Sequence, residues 1–162
     1  MTKSKSSSAD PSKPLDVEAL RAEFLNVVFD EFEVVLEADK LADYAKSCGE
    51  TAAKFIDPND PDFQAPPTIG SSFNPKRRNP EGFPTIKGLG MDAGKAVHPI
   101  KPMRPGEPIT VRTHMHDIYT KSGRSGRMVF FVHRLEFSDT SGELLGSADT
   151  SVVIREKPQD DG

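Results

Sequence analysis

A single cysteine, Cys48, is present, so no intrachain disulfide can form. A lone thiol fits a reducing compartment such as the cytosol. No run approaches the roughly 18 apolar residues that a membrane span needs. The N-terminus, Met-Thr-Lys-Ser-Lys-Ser-Ser-Ser, has no apolar leader region. Basic excess is missing too: the formal net charge is -4, which favours neither nucleic acid nor an anionic membrane as a partner. No internal repeat is found. A soluble cytoplasmic protein is therefore expected. At 162 residues the chain is long enough for one domain with a real core and short for two.

What is there concentrates in the last third. Four apolar, β-rich runs follow one another, each closed by a turn signal. Ala96–Ile100 ends at Arg104-Pro105-Gly106, and Ile109–Tyr119 ends at Lys121-Ser-Gly-Arg-Ser-Gly-Arg127. Met128–Phe137 ends at Asp139-Thr-Ser-Gly142, and Leu144–Ile154 completes the set. Strand runs bounded by Gly-containing turns predict hairpins, hence an antiparallel meander. The third run is apolar on both parities: Val129, Phe131, Leu135 and Phe137 on one, Met128, Phe130 and Val132 on the other. That pattern predicts a strand covered on both faces.

The earlier chain must supply the cover. Residues 1–14 have little to bury and predict a disordered tail. Val17, Leu20, Phe24, Val27 and Val28 follow helical spacing, which predicts a helix from Asp16, its N-cap, to Val28. Phe32, Val34 and Leu36 then alternate with glutamates, a strand period. Leu41, Tyr44, Ala45 and Cys48 form one helical stripe, with Asp39 as the expected cap and Gly49 at the left-handed C′ position. Asp57–Pro61 is a turn cluster, and Ala65–Phe73 begins with a rigid Pro pair that can enter a helix. Asn74–Gly90, with three prolines and three glycines, predicts a long irregular loop. Residues 157–162 predict a frayed tail. One antiparallel sheet with helices on one face is an α+β architecture.

Four strings carry a resemblance. They are Asp43-Tyr-Ala-Lys-Ser-Cys-Gly-Glu50, Ala65-Pro-Pro-Thr68, His98-Pro-Ile-Lys-Pro-Met-Arg-Pro-Gly106 and Asp117-Ile-Tyr-Thr-Lys-Ser-Gly-Arg124. Together they resemble the MaoC-like dehydratases, specifically the domain found as their N-terminal half. The likeness runs from about Phe32 to Glu156. It implies one hotdog domain over residues 15–156, a curled antiparallel sheet wrapped around a central helix that would open at Pro67 or Thr68. It also implies R-specific hydration of enoyl thioesters, or the reverse dehydration, with no metal or organic cofactor.

That chemistry needs a water activated beside C3 and a proton delivered to C2, work for an Asp and a His flanking one water. A backbone N–H at a helix N-terminus should stabilise the enolate-like thioester oxygen. In catalytic members the pair lies in a Gly-Asp-x-Asn-Pro-x-His motif. Laid on this chain, Gly49 takes the glycine, Glu50 the Asp position, Ala52 and Ala53 the Asn and Pro, and Phe55 the His. Phe55 cannot move a proton. The resemblance therefore implies a degenerate, acyl-pocket-forming hotdog whose catalytic Asp and His come from a second hotdog subunit. Its ligand would be an acyl-CoA or acyl-carrier-protein thioester. Two alternatives stand beside it: a homo-oligomeric acyl-CoA thioesterase using Glu50, and a non-enzymatic acyl-CoA-binding module.

Other residues are candidates for chemistry. Pro67, Thr68, Ile69, Phe73 and Met91 are candidates for the acyl tunnel, or ordinary core. Lys121, Arg124 and Arg127 crowd one turn and can grip the phosphates of CoA or a carrier arm, or simply keep a hairpin tip soluble. Arg112, His114 and His116 share one strand face, but no third metal ligand is evident, and a polar outer face is expected. His98 and His133 are read as strand residues without chemistry, and Cys48 as a small core residue.

Overall fold

The computed structural model describes residues 13–124 and 126–156, so the tails expected at 1–14 and 157–162 lie almost wholly outside the described residues. Strands β1 (Val28–Val35), β2 (Leu89–Pro99), β3 (Pro108–Gly123), β4 (Gly126–Ser138) and β5 (Leu144–Arg155) form one antiparallel sheet. Their order is β1-β3-β4-β5-β2. The expected meander holds for β3, β4 and β5, where Gly123 faces Gly126 across the first turn and Gly142 (φ +84°) makes the second.

It does not hold for β2. The strand begins at Leu89, earlier than expected, and pairs with β5 at one edge, while β3 pairs with β1. The reason lies in the connection. Pro102 and Pro105 carry no N–H and cannot extend a ladder beside β3. The segment instead crosses from one edge to the other. Ile100 and Lys101 donate their N–H groups to Leu145 O (3.0 and 2.9 Å), Ala65 N–H donates to Met103 O (2.8 Å), and Gly106 N–H donates to Leu36 O (3.0 Å).

Helix α1 (Val17–Phe24) is capped as expected, Ala19 N–H donating to Asp16 Oδ1 at 3.0 Å, and buries Val17, Leu20 and Phe24. It stops short of Val28. Asn26 takes a left-handed φ of +61° and donates its N–H to Met115 O, and the exposed Val27 and Val28 join the edge of β3. The β-branched pair gains more from the ladder than from another helical turn. Helix α2 (Ala38–Ser47) starts two residues earlier than an Asp39 cap implies, with Glu37 at the N-cap and Asp39 in the first turn, where its charge still favours the helix dipole. It buries Leu41, Ala42 and Ala45. Cys48 sits at the C-cap, past the buried stripe, and is exposed rather than core. A short α3 (Ala53–Ile56) follows.

The expected central helix is one 3-10 turn, Pro67–Ser72. It seats Gly70 directly on the sheet: a Cβ there would lie 3.2 Å from Ala148 Cβ and 3.3 Å from Phe137 Cε2. The turn and α2 close one apolar cluster with Leu36, Ile69, Val111, Leu135 and Phe137. The rest of the inner face is covered differently. There α1 packs on Met115, Ile118, Val129 and Phe131, and Phe83 from the irregular loop completes the layer, edge-on to Phe24 (5.0 Å) and Phe131 (5.6 Å). The outer parity of β4 is only partly covered: Val132 is buried, whereas Met128 and Phe130 are half-buried, Phe130 stacking on Tyr119 at 4.8 Å. No helix among the described residues is long and apolar enough to cross a membrane.

Candidate functional site

The segment Gly49–Phe55, which the sequence aligns with the dehydratase motif, begins where α2 ends. Gly49 (φ +82°) donates its N–H to Lys46 O and Glu50 donates to Ala45 O, both at 3.0 Å, the paired bonds of a Schellman cap. The cap aims the chain out of the helix and into α3. Glu50 is half-buried, and its carboxylate has no hydrogen-bond or ion-pair partner among the described residues. Phe55, half-buried on α3, lies under Lys54 Nζ at 4.9 Å. Of the two residues, only Glu50 carries a titratable side chain. The four histidines lie elsewhere, on β2, β3 and β4.

Tyr44 locks α2 to the 3-10 turn: its hydroxyl donates to Thr68 O at 3.1 Å and lies 3.4 Å from Ser71 Oγ. Pro67 and Thr68 are exposed at the start of that turn, Ile69 is buried, and Phe73 packs edge-on to Phe137 at 5.3 Å. These four expected pocket residues are brought together. Met91 is not with them. It is paired with Val153 on the outer face of the sheet.

The cationic turn lies at the other end of the sheet. From Leu135, beside the 3-10 turn, to Gly126 is about 30 Å of strand. Arg127 is engaged, donating to Glu156 Oε2 (2.8 Å) and Leu15 O (2.9 Å). Lys121 Nζ lies 5.4 Å from the centre of the Phe130 ring, and Arg124 is exposed at the tip. Leu15, Arg21, Tyr119, Thr120 and Arg127 line an open cleft of about 350 Å³ beside it.

On the outer face Arg134 makes two hydrogen bonds to Asp149, 2.7 and 2.8 Å, and His98 Nε2 lies 3.4 Å from the same carboxylate. Burial opposes ionisation of Asp149, but the Arg134 guanidinium outweighs it and holds the carboxyl below its usual range. Arg112 donates to Glu31 there, and His114 and His116 stand with ring centres 5.7 Å apart around a bulge between Met115 and Asp117. Burial lowers the His114 pKa.

One feature was not anticipated. Registers of the five strands place Asp30 beside Thr113 and, one diagonal step away, His133 beside Thr150 and Lys95, a polar band across the inner face. This polar belt separates the two apolar clusters. Its ends are occupied: Asp30 Oδ2 accepts from Lys76 N–H, and Lys95 Nζ donates to Ser71 O, Phe73 O and Asn74 Oδ1. Its middle is not. Thr113 Oγ1 and His133 Nε2 are buried without a hydrogen-bond partner among the described residues, an arrangement costing about 1–3 kcal/mol per group. Burial pushes His133 down to about 4, so its imidazole is neutral near pH 7. The signal in the sequence was a Thr and a His on apolar parities, legible only once the register is known.

A family model described as FAS1-like, dehydratase domain region, matches residues 23–147. No curated protein sequence matches the chain. Solved structures share its fold. A MaoC-like dehydratase from Phytophthora capsici superposes with a TM-score of 0.68 at 19% identity, over 87% of this chain and 50% of that one. This chain therefore spans about half the length of that relative. The ChsH1-ChsH2 complex from Mycobacterium tuberculosis gives 0.62 at 11% identity, over 90% and 92% of the two chains. The HadBC (3R-hydroxyacyl-ACP dehydratase) complex of the same organism gives 0.58 at 13%, over 81% and 97%. By the family match the chain belongs to the FAS1-like dehydratase domain region, and its α+β architecture is the hotdog fold of the MaoC-like dehydratases.

Proposed function

We propose that this chain is the non-catalytic, acyl-pocket-forming half of a two-hotdog R-specific enoyl thioester hydratase or 3-hydroxyacyl thioester dehydratase. The observation that carries the reading is the pair Glu50 and Phe55 in the motif after α2. Hydration places a hydroxyl on C3 and a proton on C2 of the acyl thioester. With Phe55 in place of the histidine, one of the two proton-transfer groups is gone. The working Asp and His then belong to a second hotdog.

Strand β2 supports the pairing. It is an eleven-residue edge, exposed along nearly its whole length, and pairs with β5 alone among the described residues. Such an edge is a template for another strand. The second hotdog would extend the sheet there, beside Val97 and Lys95 and close to the 3-10 turn. The names of two fold neighbours, HadBC and ChsH1-ChsH2, describe complexes. In this reading the substrate is an acyl-CoA or acyl-carrier-protein thioester. No metal or organic cofactor takes part, and Pro67, Thr68, Ile69 and Phe73 border the acyl group. Reconstitution tests it: activity of this chain alone against activity beside a hotdog protein carrying the intact motif.

A further inference from the structure

We propose that the polar belt is a ligand subsite that takes one hydroxyl, carried on the acyl group beyond C3 and held between Thr113 Oγ1 and His133 Nε2. The inference rests on the acyl-pocket reading and names a substrate class for it.

Three observations carry it. First, the two residues that carry the free atoms are neighbours on the sheet. Thr113 faces Leu135, and Met115 faces His133, so Thr113 and His133 lie one diagonal step apart on the same inner face. Thr113 has no exposed surface and His133 only 6%, and both polar atoms lack partners among the described residues. Second, the surroundings fit an apolar ligand with one polar point. The cluster of Ile69, Leu135 and Phe137 lies on one side, that of Met115, Ile118 and Phe131 on the other. Asp30 and Lys95, the belt's charged ends, are already engaged by Lys76 and by the 71–74 segment. What remains to be satisfied is neutral. A hydroxyl donates and accepts at once, so it can serve a neutral imidazole in either tautomer together with a threonine hydroxyl. Third, the belt leads outward. Burial falls from Thr113 and His133 to the half-buried Thr150 and the exposed Lys95 on β2, the edge at which the second hotdog is placed. An acyl group arriving from that edge meets the belt end-on.

The test uses the full chain, decanoyl-CoA, and its mono-hydroxylated isomers with the hydroxyl at successive carbons beyond C3. Binding is measured by calorimetry, and the His133 imidazole nitrogens are followed by NMR in the unmodified protein. One isomer should bind about tenfold more tightly than decanoyl-CoA and move the His133 nitrogen resonances, and Thr113→Val should return it to the affinity of the parent. If decanoyl-CoA binds but no isomer is preferred, or if the preferred one leaves His133 unmoved, the subsite is wrong and the acyl-pocket reading stands. If Thr113→Val lowers the melting temperature without any hydroxyl preference in the wild type, the belt holds a structural water only. If no acyl-CoA binds, the acyl-pocket reading fails and the subsite with it.

Discussion

Replacing Phe131 with alanine tests how the inner face is closed. Phe131 is 4% exposed, packs in the cluster built by α1, and meets Phe83 edge-on at 5.6 Å. Removing a buried Phe side chain costs about 3–5 kcal/mol, through lost transfer energy and the cavity left behind. The lost aromatic pair accounts for about 0.5–1.5 kcal/mol of effects of this kind. Taking about 4 kcal/mol, and a urea slope of about 2 kcal/mol per molar, the midpoint should fall by about 2 M. The measurement is equilibrium urea unfolding followed by far-ultraviolet circular dichroism. Phe130→Ala is the control. Its ring is half-buried on the outer face against Tyr119, so it should move the midpoint much less. An unchanged midpoint for Phe131→Ala, or an equal shift for Phe130→Ala, would refute the assignment of faces.

Two further outcomes follow from named groups. His133 has a folded pKa lowered by burial to about 4, against 6.5 when unfolded. Only the unfolded chain takes up its proton between those values, so His133 lowers stability as pH falls from 6.5 to 4, by at most about 3 kcal/mol. Urea midpoints across that window should lose this slope in His133→Phe, and a retained slope would assign it to other groups. If the β3–β4 turn grips phosphate, Arg124→Ala should weaken CoA-thioester binding by about 1.5–3 kcal/mol and leave the pantetheine thioester indifferent. Equal loss for both ligands in a calorimetric titration would count against that role.

The local features were legible in the sequence and the non-local ones were not. Asp16 announced its helix because a cap and the stripe Val17, Leu20, Phe24 lie within one short segment. Strands β3, β4 and β5 could be read because each hairpin joins neighbours through a glycine-bearing turn. The place of β2 could not be read, since it depends on a proline-bearing crossing past Leu145 and Leu36 that no local period encodes. Cys48 lies at the C-cap and is exposed; a stripe of four residues does not say where the helix stops. The same division holds at the site. Glu50 and Phe55 stand in one contiguous segment, so the resemblance alone singles them out. The belt needs the registers of five strands, including the bulge between Met115 and Asp117, before Thr113 and His133 come onto one face.

The central claim is that this chain contributes a pocket and its partner contributes the acid and base. The direct measurement is the rate of hydration of crotonyl-CoA, or a longer enoyl-CoA, by this chain alone, by a hotdog protein carrying Gly-Asp-x-Asn-Pro-x-His alone, and by the two together. Proton transfer by positioned side chains contributes about 10²–10⁴-fold, and on this account Phe55 stands in place of one of the two groups. The account predicts no enzyme-like turnover by this chain alone, restoration in the mixture, and a mixture that keeps most of its activity when this chain carries Glu50→Gln. Enzyme-like turnover by this chain alone, abolished by Glu50→Gln, would contradict the account and make Glu50 the base.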